Sequence, residues 1–215
     1  LGEPIAYIVR NKEFWNYNFY VDQNVLIPRP DTEVILEQIL KFLDKNQKKS
    51  VLDIGTGSGC IIISLAKECP NIYGAAIDIS KKALNVAKFN AKIHQLKNRI
   101  KFYHSSVDNF FKGKYDLIIS NPPYINSFDL KYLEKDIIGY EPLVSLKGGL
   151  DGSSVLNKVI KKSSSLIKVG GKLVLEIGYN QKYIAMKLLK KEMFYINKIV
   201  RDYSNNDRCI VATKL

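Results

Sequence analysis

The pattern of apolar and polar residues divides the chain into a short first part and a longer second part. In the first part, an aromatic and β-branched run over 12–21 predicts a strand or a β-hairpin. Apolar residues then recur with a spacing near 3.6, which predicts a helix over 32–44 that Asp31 or Thr32 can cap. Residues 1–49 are therefore expected to form a hairpin and a lead-in helix packed on the rest of the protein.

From residue 50 onward, strand-like and helix-like segments alternate. The pattern predicts strands over 50–54, 73–78, 100–103, 115–119 and 172–177, and helices over 58–68, 81–94, 151–168 and 181–191. Such alternation indicates right-handed βαβ units. Two final strands, over 194–201 and 208–213, flank a short polar turn and should pair antiparallel. The predicted fold class is α/β, with a doubly wound, mostly parallel seven-stranded sheet in a domain over 50–215.

Composition narrows the class of protein. The 215 residues are 46% hydrophobic and 25% charged, which fits one globular domain and excludes wholesale disorder. No apolar run is long enough for a transmembrane helix, and no signal peptide is visible, so we expect a cytoplasmic protein without a membrane partner. Cys60, Cys69 and Cys209 form no C-x-x-C pair, which predicts reduced thiols and no metal site. Because the chain starts with Leu1 rather than Met, we expect it to be part of a longer protein.

The net charge of +12 first suggests a polyanionic partner such as RNA or DNA. However, 28 of the 33 basic residues are Lys, whereas Arg is the residue expected for bidentate phosphate and base contacts. The excess is largest over 151–215, which hold 13 basic and five acidic residues. Charge is therefore a secondary clue, which fits Lys-rich outer helices or a surface that attracts an acidic protein.

A glycine-rich loop follows the first strand of the alternating region. Asp53 leads into Gly55, Thr56, Gly57, Ser58 and Gly59, where a helix starts. A dinucleotide-binding motif would need glycine at Cys60, and the absence of Lys from the loop argues against a triphosphate. Asp78 ends the next strand, where a carboxylate can accept both hydroxyls of a ribose. These features favour an adenosine ligand without phosphates, S-adenosylmethionine, while NAD and a simple tight turn stay open as alternatives.

A second motif, Asn121-Pro122-Pro123-Tyr124, follows the fourth strand and should lie at the same edge of the sheet. The Asn121 side-chain oxygen and the Pro122 carbonyl can both accept hydrogen bonds from one NH2 group. The prolines fix these acceptors and Tyr124 offers an aromatic face, so Asn121, Pro122 and Tyr124 are the candidate catalytic residues. The alternative is a rigid turn without chemistry. Glu176 ends a strand at the same edge and is a candidate for a minor role in the crevice.

Together these motifs resemble the amino-directed branch of class I S-adenosylmethionine-dependent methyltransferases. The segments over 2–8, 26–33, 121–125 and 140–142 narrow the resemblance to the HemK-type release factor glutamine methyltransferases. The similarity covers essentially the whole chain, and the Leu-Ile-Pro-Arg-Pro-Asp-Thr-Glu segment over 26–33 is its most specific part.

The resemblance implies a function and a set of site residues. That family methylates the side-chain amide nitrogen, N5, of the glutamine in the Gly-Gly-Gln motif of class I peptide-chain release factors. By resemblance, the cofactor residues are Gly55, Thr56, Gly57, Ser58, Gly59, Asp78 and Asn121. The substrate residues are Asn121, Pro122, Pro123 and Tyr124, with Arg29 and Glu33 in a segment that walls the crevice. We expect a release factor as partner and a monomeric enzyme.

Two departures from the family pattern qualify this expectation. The helical domain that usually precedes the Gly-Glu-Pro segment is absent, so the chain is expected to bind its protein substrate weakly. Many methyltransferases also carry an acid for the adenine amine after the third strand. Here residues 104–108 read His-Ser-Ser-Val-Asp, which leaves open whether a serine or a backbone group makes that contact.

The loop over 125–150 is predicted to close over substrate as a lid. The alternative function is an RNA or DNA amino-methyltransferase, because the exocyclic amine of a base is a similar planar NH2 group. A DNA enzyme would need a target-recognition region for which 215 residues leave no space, whereas size does not exclude an RNA enzyme. An inert binding module would be expected to lack Asn121 or the glycines.

Overall fold

The N-terminal part forms a short helix and a tight hairpin in a computed structural model that describes residues 2–215: α1 (Ile5–Ile8), β1 (Lys12–Phe14) and β2 (Tyr17–Phe19). Trp15 and Asn16 form the hairpin turn, and both have positive φ angles, as a two-residue turn that matches the strand twist requires. The predicted hairpin is confirmed.

The predicted lead-in helix is α2 (Glu33–Phe42), and a single 3₁₀ turn over Pro30–Thr32 precedes it. Neither expected cap is made, because Thr32 has helical backbone angles, φ −69° and ψ −20°, rather than the extended angles of an N-cap. The Thr32 side chain is thereby left available for a contact elsewhere.

The remaining elements are β3 (Lys49–Ile54), α3 (Cys60–Glu68), β4 (Ile72–Asp78), α4 (Lys81–Ile93), β5 (Ile100–His104), β6 (Tyr115–Ser120), β7 (Ile125–Asn126), α5 (Lys135–Tyr140), β8 (Lys147–Gly149), α6 (Ser154–Leu166), β9 (Ile167–Glu176), α7 (Lys182–Lys191), β10 (Phe194–Arg201) and β11 (Asp207–Lys214). Seven of these strands form one sheet in the order β10-β11-β9-β6-β3-β4-β5. β11 runs opposite to the other six strands of this sheet, so its pairings with β10 and β9 are antiparallel and the remaining pairings are parallel. The predicted α/β fold with a terminal antiparallel pair is confirmed.

Two regions differ from the predicted elements. β9 begins at Ile167, which pairs with Tyr115, and residues 168–171 then interrupt the pairing. The predicted loop over 125–150 contains α5 and the parallel pair of β7 and β8. Elements of two to six residues are too short to show a hydrophobic period, so the sequence pattern did not reveal them.

The core lies on both faces of the sheet. On one face, α2 and α3 pack on the strands, and Trp15 of the hairpin is partly buried against them. On the other face, α6 and α7 pack on the strands. All three cysteines are buried, free thiols. No helix within the described residues combines the length and apolar character needed to cross a bilayer.

The strand register brings four residues of interest to one edge of the sheet. It aligns Ile54 with Ile77 and Ser120, and Ser120 with Leu175. The first residues beyond this row, at the carboxyl ends of four adjacent strands, are Gly55, Asp78, Asn121 and Glu176. The two sequence motifs therefore face one crevice, as their positions after parallel strands predict.

Candidate active site

A cavity of about 630 Å³ opens at the carboxyl edge of the sheet. It brings together nine residues that the sequence nominated: Arg29, Gly55, Thr56, Gly57, Ser58, Asp78, Asn121, Pro122 and Pro123. Gly59, Tyr124 and Glu33 were nominated too, and Glu176 was nominated for a minor role, but none of these four residues lines the cavity.

Glycine is needed at three positions of the loop for different physical reasons. Gly55 and Gly57 adopt φ angles of +73° and +55°, and a Cβ on either would meet no atom within 4 Å. They leave open space beside the backbone, as a cradle for a ligand requires. Gly59 has a φ angle of +83°, and its Cβ would lie 2.9 Å from Ile63 Cδ1 and 3.3 Å from Ala87 Cβ. Gly59 therefore allows α3 to pack closely on α4.

Asp78 is fixed between the loop and α4. Its Oδ2 accepts a hydrogen bond from the Gly57 amide at 2.9 Å, and its Oδ1 accepts one from the Ser80 amide at 2.8 Å. Ser80 in turn caps α4 by accepting from the Ala83 amide at 3.1 Å. Burial raises the pKa of Asp78, and the two backbone hydrogen bonds oppose that rise. The carboxylate is thus held at the cavity wall in a fixed orientation.

Asp53 lies beneath the same loop and is 1% exposed. Thr56 Oγ1 donates to Asp53 Oδ2 at 2.7 Å, whereas Asp53 Oδ1 has no hydrogen-bond partner in the part of the chain that the structure describes. Burial raises the pKa of Asp53 to about 7, and the Thr56 hydrogen bond opposes the rise. The loop is therefore built over a carboxyl group that titrates near neutral pH.

Asn121 is held by a residue from the first part of the chain. Its Nδ2 donates to Thr32 Oγ1 at 3.2 Å, and Thr32 is 3% exposed. The preceding residue, Ser120, donates from Oγ to the Ile54 carbonyl at 2.8 Å and so ties the ends of β6 and β3 together. Asn121 is thus the point where the lead-in segment contacts the sheet edge.

Two glycines pack directly against the backbone of the Asn-Pro-Pro-Tyr segment. A Cβ on Gly148 would lie 2.8 Å from the Pro123 carbonyl oxygen, and one on Gly152 would lie 2.5 Å from the Tyr124 carbonyl oxygen. Any side chain at either position would collide with this backbone. The loop over 125–150 is therefore anchored directly against the motif, while its residues Pro142, Leu143, Val144 and Ser145 line the cavity. Its closure over substrate stays a prediction.

Arg208 holds the side chain of Tyr124 in place. Arg208 Nη1 lies 3.4 Å from the Tyr124 hydroxyl and also donates to the Ile177 carbonyl at 3.1 Å. Arg208 Nε donates to Asp202 Oδ2 at 2.9 Å, and the Asp202 side chain is fully buried. Burial raises the pKa of Tyr124, so its phenol is neutral at physiological pH.

Arg29 and Glu33 act in different places. Arg29 lines the cavity and pairs with Glu141, whose side chain is buried. This ion pair joins the segment before α2 to the loop over 125–150. Glu33 Oε1 instead accepts from the Trp15 amide at 2.8 Å and so secures the hairpin turn.

The segment after β5 supplies the last wall of the cavity. Ser105, Ser106, Val107 and Asp108 all line it. Ser106 Oγ is buried and has no hydrogen-bond partner among the described residues, while Ser105 Oγ donates to the Ser106 carbonyl at 2.9 Å. Asp108 Oδ2 pairs with Lys158 Nζ at 2.9 Å. Of these polar side chains, the Ser106 hydroxyl is therefore the one left without a partner in the part of the chain that the structure describes.

Sequence reasoning missed Arg208 and the contact from Thr32 to Asn121. A signal for Arg208 was present, because only five Arg stand among 28 Lys in this chain. In such a composition an Arg indicates a place that needs its planar fork of donors. Arg99 is another example, since it donates to the carbonyls of Ala66, Cys69 and Ile72.

Comparison with known proteins identifies the family of this chain. Residues 32–139 match the model of the methyltransferase small domain. A release factor glutamine methyltransferase from Buchnera aphidicola of Schizaphis graminum is 40% identical over 214 residues, which span 100% of this chain and 77% of the relative. One from Coxiella burnetii is also 40% identical and spans 99% of this chain and 76% of the relative.

The fold is shared more widely than the sequence. A crystal structure of ribosomal protein L11 methylase from Lactobacillus delbrueckii subsp. bulgaricus superimposes with a TM-score of 0.67 at 20% identity, covering 87% of this chain and 80% of the other. That similarity establishes a methyltransferase fold, whereas the 40% identity along the whole chain identifies the family. The chain belongs to the release factor glutamine methyltransferase family.

Proposed function

We propose that this protein transfers a methyl group from S-adenosylmethionine to the side-chain amide nitrogen of a glutamine, the one in the Gly-Gly-Gln motif of class I release factors. The observation that carries the proposal is one cavity lined both by the Gly55 and Gly57 cradle and by Asn121 and Pro122. The names of the relatives from Buchnera and Coxiella support the same activity and substrate. They favour a protein amide over the exocyclic amine of a base.

The cofactor half of the cavity suits an adenosine ligand. Gly55 and Gly57 leave room for a ligand against the backbone, and Asp78 offers a fixed carboxylate for ribose hydroxyls. We assign the contact with the adenine amine to Ser106, because this residue lines the cavity and its buried hydroxyl has no hydrogen-bond partner among the described residues. Bound there, S-adenosylmethionine supplies an electrophilic methyl group on a sulfonium that leaves as a neutral thioether.

The substrate half makes a poor nucleophile reactive. The lone pair of an amide nitrogen is delocalised into its carbonyl group. Asn121 Oδ1 and the Pro122 carbonyl would accept the two N–H groups, which raises the electron density on nitrogen and fixes its direction of approach. As the N–C bond forms, the nitrogen carries one proton too many and releases it to water. In this scheme neither Asn121 Oδ1 nor the Pro122 carbonyl has to change its protonation state.

The rest of the chain supports this pair of half-sites. Residues 50–215 form the catalytic domain in our proposal, and residues 1–49 close one side of it through Arg29 and Thr32. Tyr124, fixed by Arg208, backs the amide site, and Glu33 keeps the hairpin in place. Since class I release factors act in translation, we propose a cytoplasmic enzyme that works as a monomer.

The deciding experiment offers methyl-labelled S-adenosylmethionine with a class I release factor and with total RNA in parallel reactions. A release factor whose Gly-Gly-Gln glutamine is replaced by alanine is the matched control substrate. We expect label in the intact release factor, none in the control and none in RNA. Label in RNA but not in protein would overturn the proposed substrate.

A further inference from the structure

Glu176 is a buried carboxyl group beside the reacting edge that the proposed function does not yet use. It ends β9, and because Ser120 pairs with Leu175, it occupies the register position next to Asn121. Glu176 is 2% exposed, and its Oε2 has no hydrogen-bond partner within the described residues. A carboxyl group in such a place lowers stability unless something compensates, so its presence calls for a functional explanation.

The neighbours of Glu176 indicate what it does. Thr32 and Asn121 lie beside the Glu176 carboxyl group and lower its pKa, and Asn121 Nδ2 donates to Thr32 Oγ1 at 3.2 Å. An ionised carboxylate can only accept hydrogen bonds, so the end of the Asn121 amide that faces it must be the NH2 group. Because the amide is planar, its oxygen then points the other way, toward the cavity that Asn121 lines.

We propose that Glu176 is a positioning residue that holds the Asn121 amide with Nδ2 inward and Oδ1 toward the substrate amide. This inference rests on the proposed function. The oxygen and nitrogen of an asparagine amide are nearly equal in size, so packing alone does not select one orientation. If the oxygen and nitrogen of the Asn121 amide exchanged places, Asn121 would present its NH2 group to the NH2 group of the substrate. Neither group could then accept a hydrogen bond from the other.

The charge of Glu176 matters for this role. Burial raises the pKa of Glu176 to about 7, with Thr32 and Arg208 lowering it and Asp31 raising it. The other titratable groups that interact with it electrostatically are Tyr124, Cys60 and Cys209. Ionised, Glu176 accepts from both Thr32 and Asn121, whereas the protonated form would turn one oxygen into a donor. The orienting effect should therefore weaken as the pH falls through about 7.

The test compares Glu176→Gln with wild type in the release factor assay. We expect kcat to fall roughly 10- to 100-fold, the range for a small misplacement of a reacting group. Binding of S-adenosylhomocysteine should change less than about twofold, since the cofactor half is untouched. Wild-type kcat/KM should rise between pH 6 and pH 8, and the variant should lose that rise. Asp116→Asn is the matched control, because Asp116 lies at the opposite end of the sheet, bonded to Ser50.

A double substitution separates positioning from general damage. In an Asn121→Ala background, Glu176→Gln should have no further effect on kcat, because Glu176 acts through Asn121. The inference would be overturned if the effects of the two substitutions on kcat multiply. It would also be overturned if Glu176→Gln keeps the kcat and the pH profile of wild type. If Glu176→Gln does not fold, the test uses the Thr32→Val variant and the pH profile of the wild-type enzyme. A flat wild-type profile together with full activity of Thr32→Val would refute the inference. Wild type that methylates no release factor refutes the proposed function instead.

Discussion

The two halves of the cavity are built in different ways. The cofactor half depends on backbone: two open glycines, and an Asp78 carboxylate that bonds the amides of Gly57 and Ser80. The substrate half depends on side chains that arrive from distant parts of the chain. Asn121 meets Thr32, and Tyr124 meets Arg208. Both halves share the same sheet edge, so the difference comes from sequence distance rather than from location.

This difference predicts different responses to substitution. The cofactor half is assembled from neighbouring segments, so its residues should act independently of the rest of the protein. The substrate half is held by contacts such as Arg29 with Glu141, 112 residues apart, and Tyr124 with Arg208, 84 residues apart. Substitutions far from substrate should therefore alter turnover without altering cofactor affinity.

The largest effect that tests this division comes from one substitution in each half. Asn121→Ala should lower kcat about 100-fold or more, because the substrate amide loses its oriented acceptor, while S-adenosylhomocysteine binds normally. Asp78→Ala should weaken S-adenosylhomocysteine binding about 10- to 100-fold, the loss expected for hydrogen bonds to a charged group. Calorimetric titration and single-turnover methylation measure the two quantities.

Controls for this pair are Asn157→Ala on the exposed face of α6 and Asp44→Ala after α2, neither of which lines the cavity. Both should behave as wild type. If Asn121→Ala weakens cofactor binding as much as it lowers kcat, the two halves are not separable. Near-normal turnover of Asn121→Ala would contradict the amide acceptor itself.

The next largest effect concerns Arg208. Arg208→Met leaves the buried Asp202 carboxylate without its ion-pair partner and should lower the free energy of unfolding by about 3 kcal/mol. It also frees the Tyr124 hydroxyl, so kcat should fall in the protein that remains folded. Arg201→Met removes an exposed Arg that pairs with Asp207 at 3.7 Å and should change stability little. Denaturant unfolding and kcat at 20 °C distinguish them, and equal behaviour of the two variants would refute the anchoring role.

The same division explains what the sequence could predict. The strand-to-helix loop at Gly55, the acid at Asp78 and the Asn-Pro-Pro-Tyr turn are local patterns, so spacing alone placed them at one sheet edge. The partners of Thr32 and Arg208 depend on how distant segments pack together, and no local sequence pattern encodes that packing. Glu33 illustrates the limit: its motif suggested the cavity wall, whereas the structure pairs it with the Trp15 amide.

A smaller effect separates two glycines of the cofactor half. Gly57→Ala and Gly59→Ala impose a similar strain, since both residues have positive φ angles. The Gly59 variant should unfold more easily by about 2 kcal/mol, because its Cβ would press on Ile63 and Ala87. The Gly57 variant should instead weaken S-adenosylhomocysteine binding, because its Cβ would enter the cradle. Thermal unfolding and calorimetric titration check the pair, and a reversed pattern would contradict the assigned roles.

The last effect is a pH dependence of stability, about 1 kcal/mol per pH unit, that arises beneath the glycine loop. The pKa of Asp53 is raised to about 7 in the folded protein by burial, from about 4 in an unfolded chain. The folded state therefore binds this proton more tightly. Between pH 4 and pH 7 the group makes the free energy of unfolding fall as pH rises, by up to about 1 kcal/mol per pH unit.

Asp53→Asn removes this titration, so relative to wild type the ligand-free variant should gain stability as the pH rises from 5 to 7.5. Asp116→Asn should show no such trend over this range, because Asp116 titrates below the usual pKa of an aspartate, about 4. Burial of Asp116 raises its pKa, but hydrogen bonds from Lys168 and Ser50 outweigh burial and lower it. Ionised Asp116 therefore stabilises the fold above its unfolded pKa, and this contribution is lost as the pH falls through the folded pKa. Parallel trends in the two variants would show that Asp53 is not a neutral, buried acid below pH 7. The glycine loop would then not rest on a carboxyl group that titrates near neutral pH.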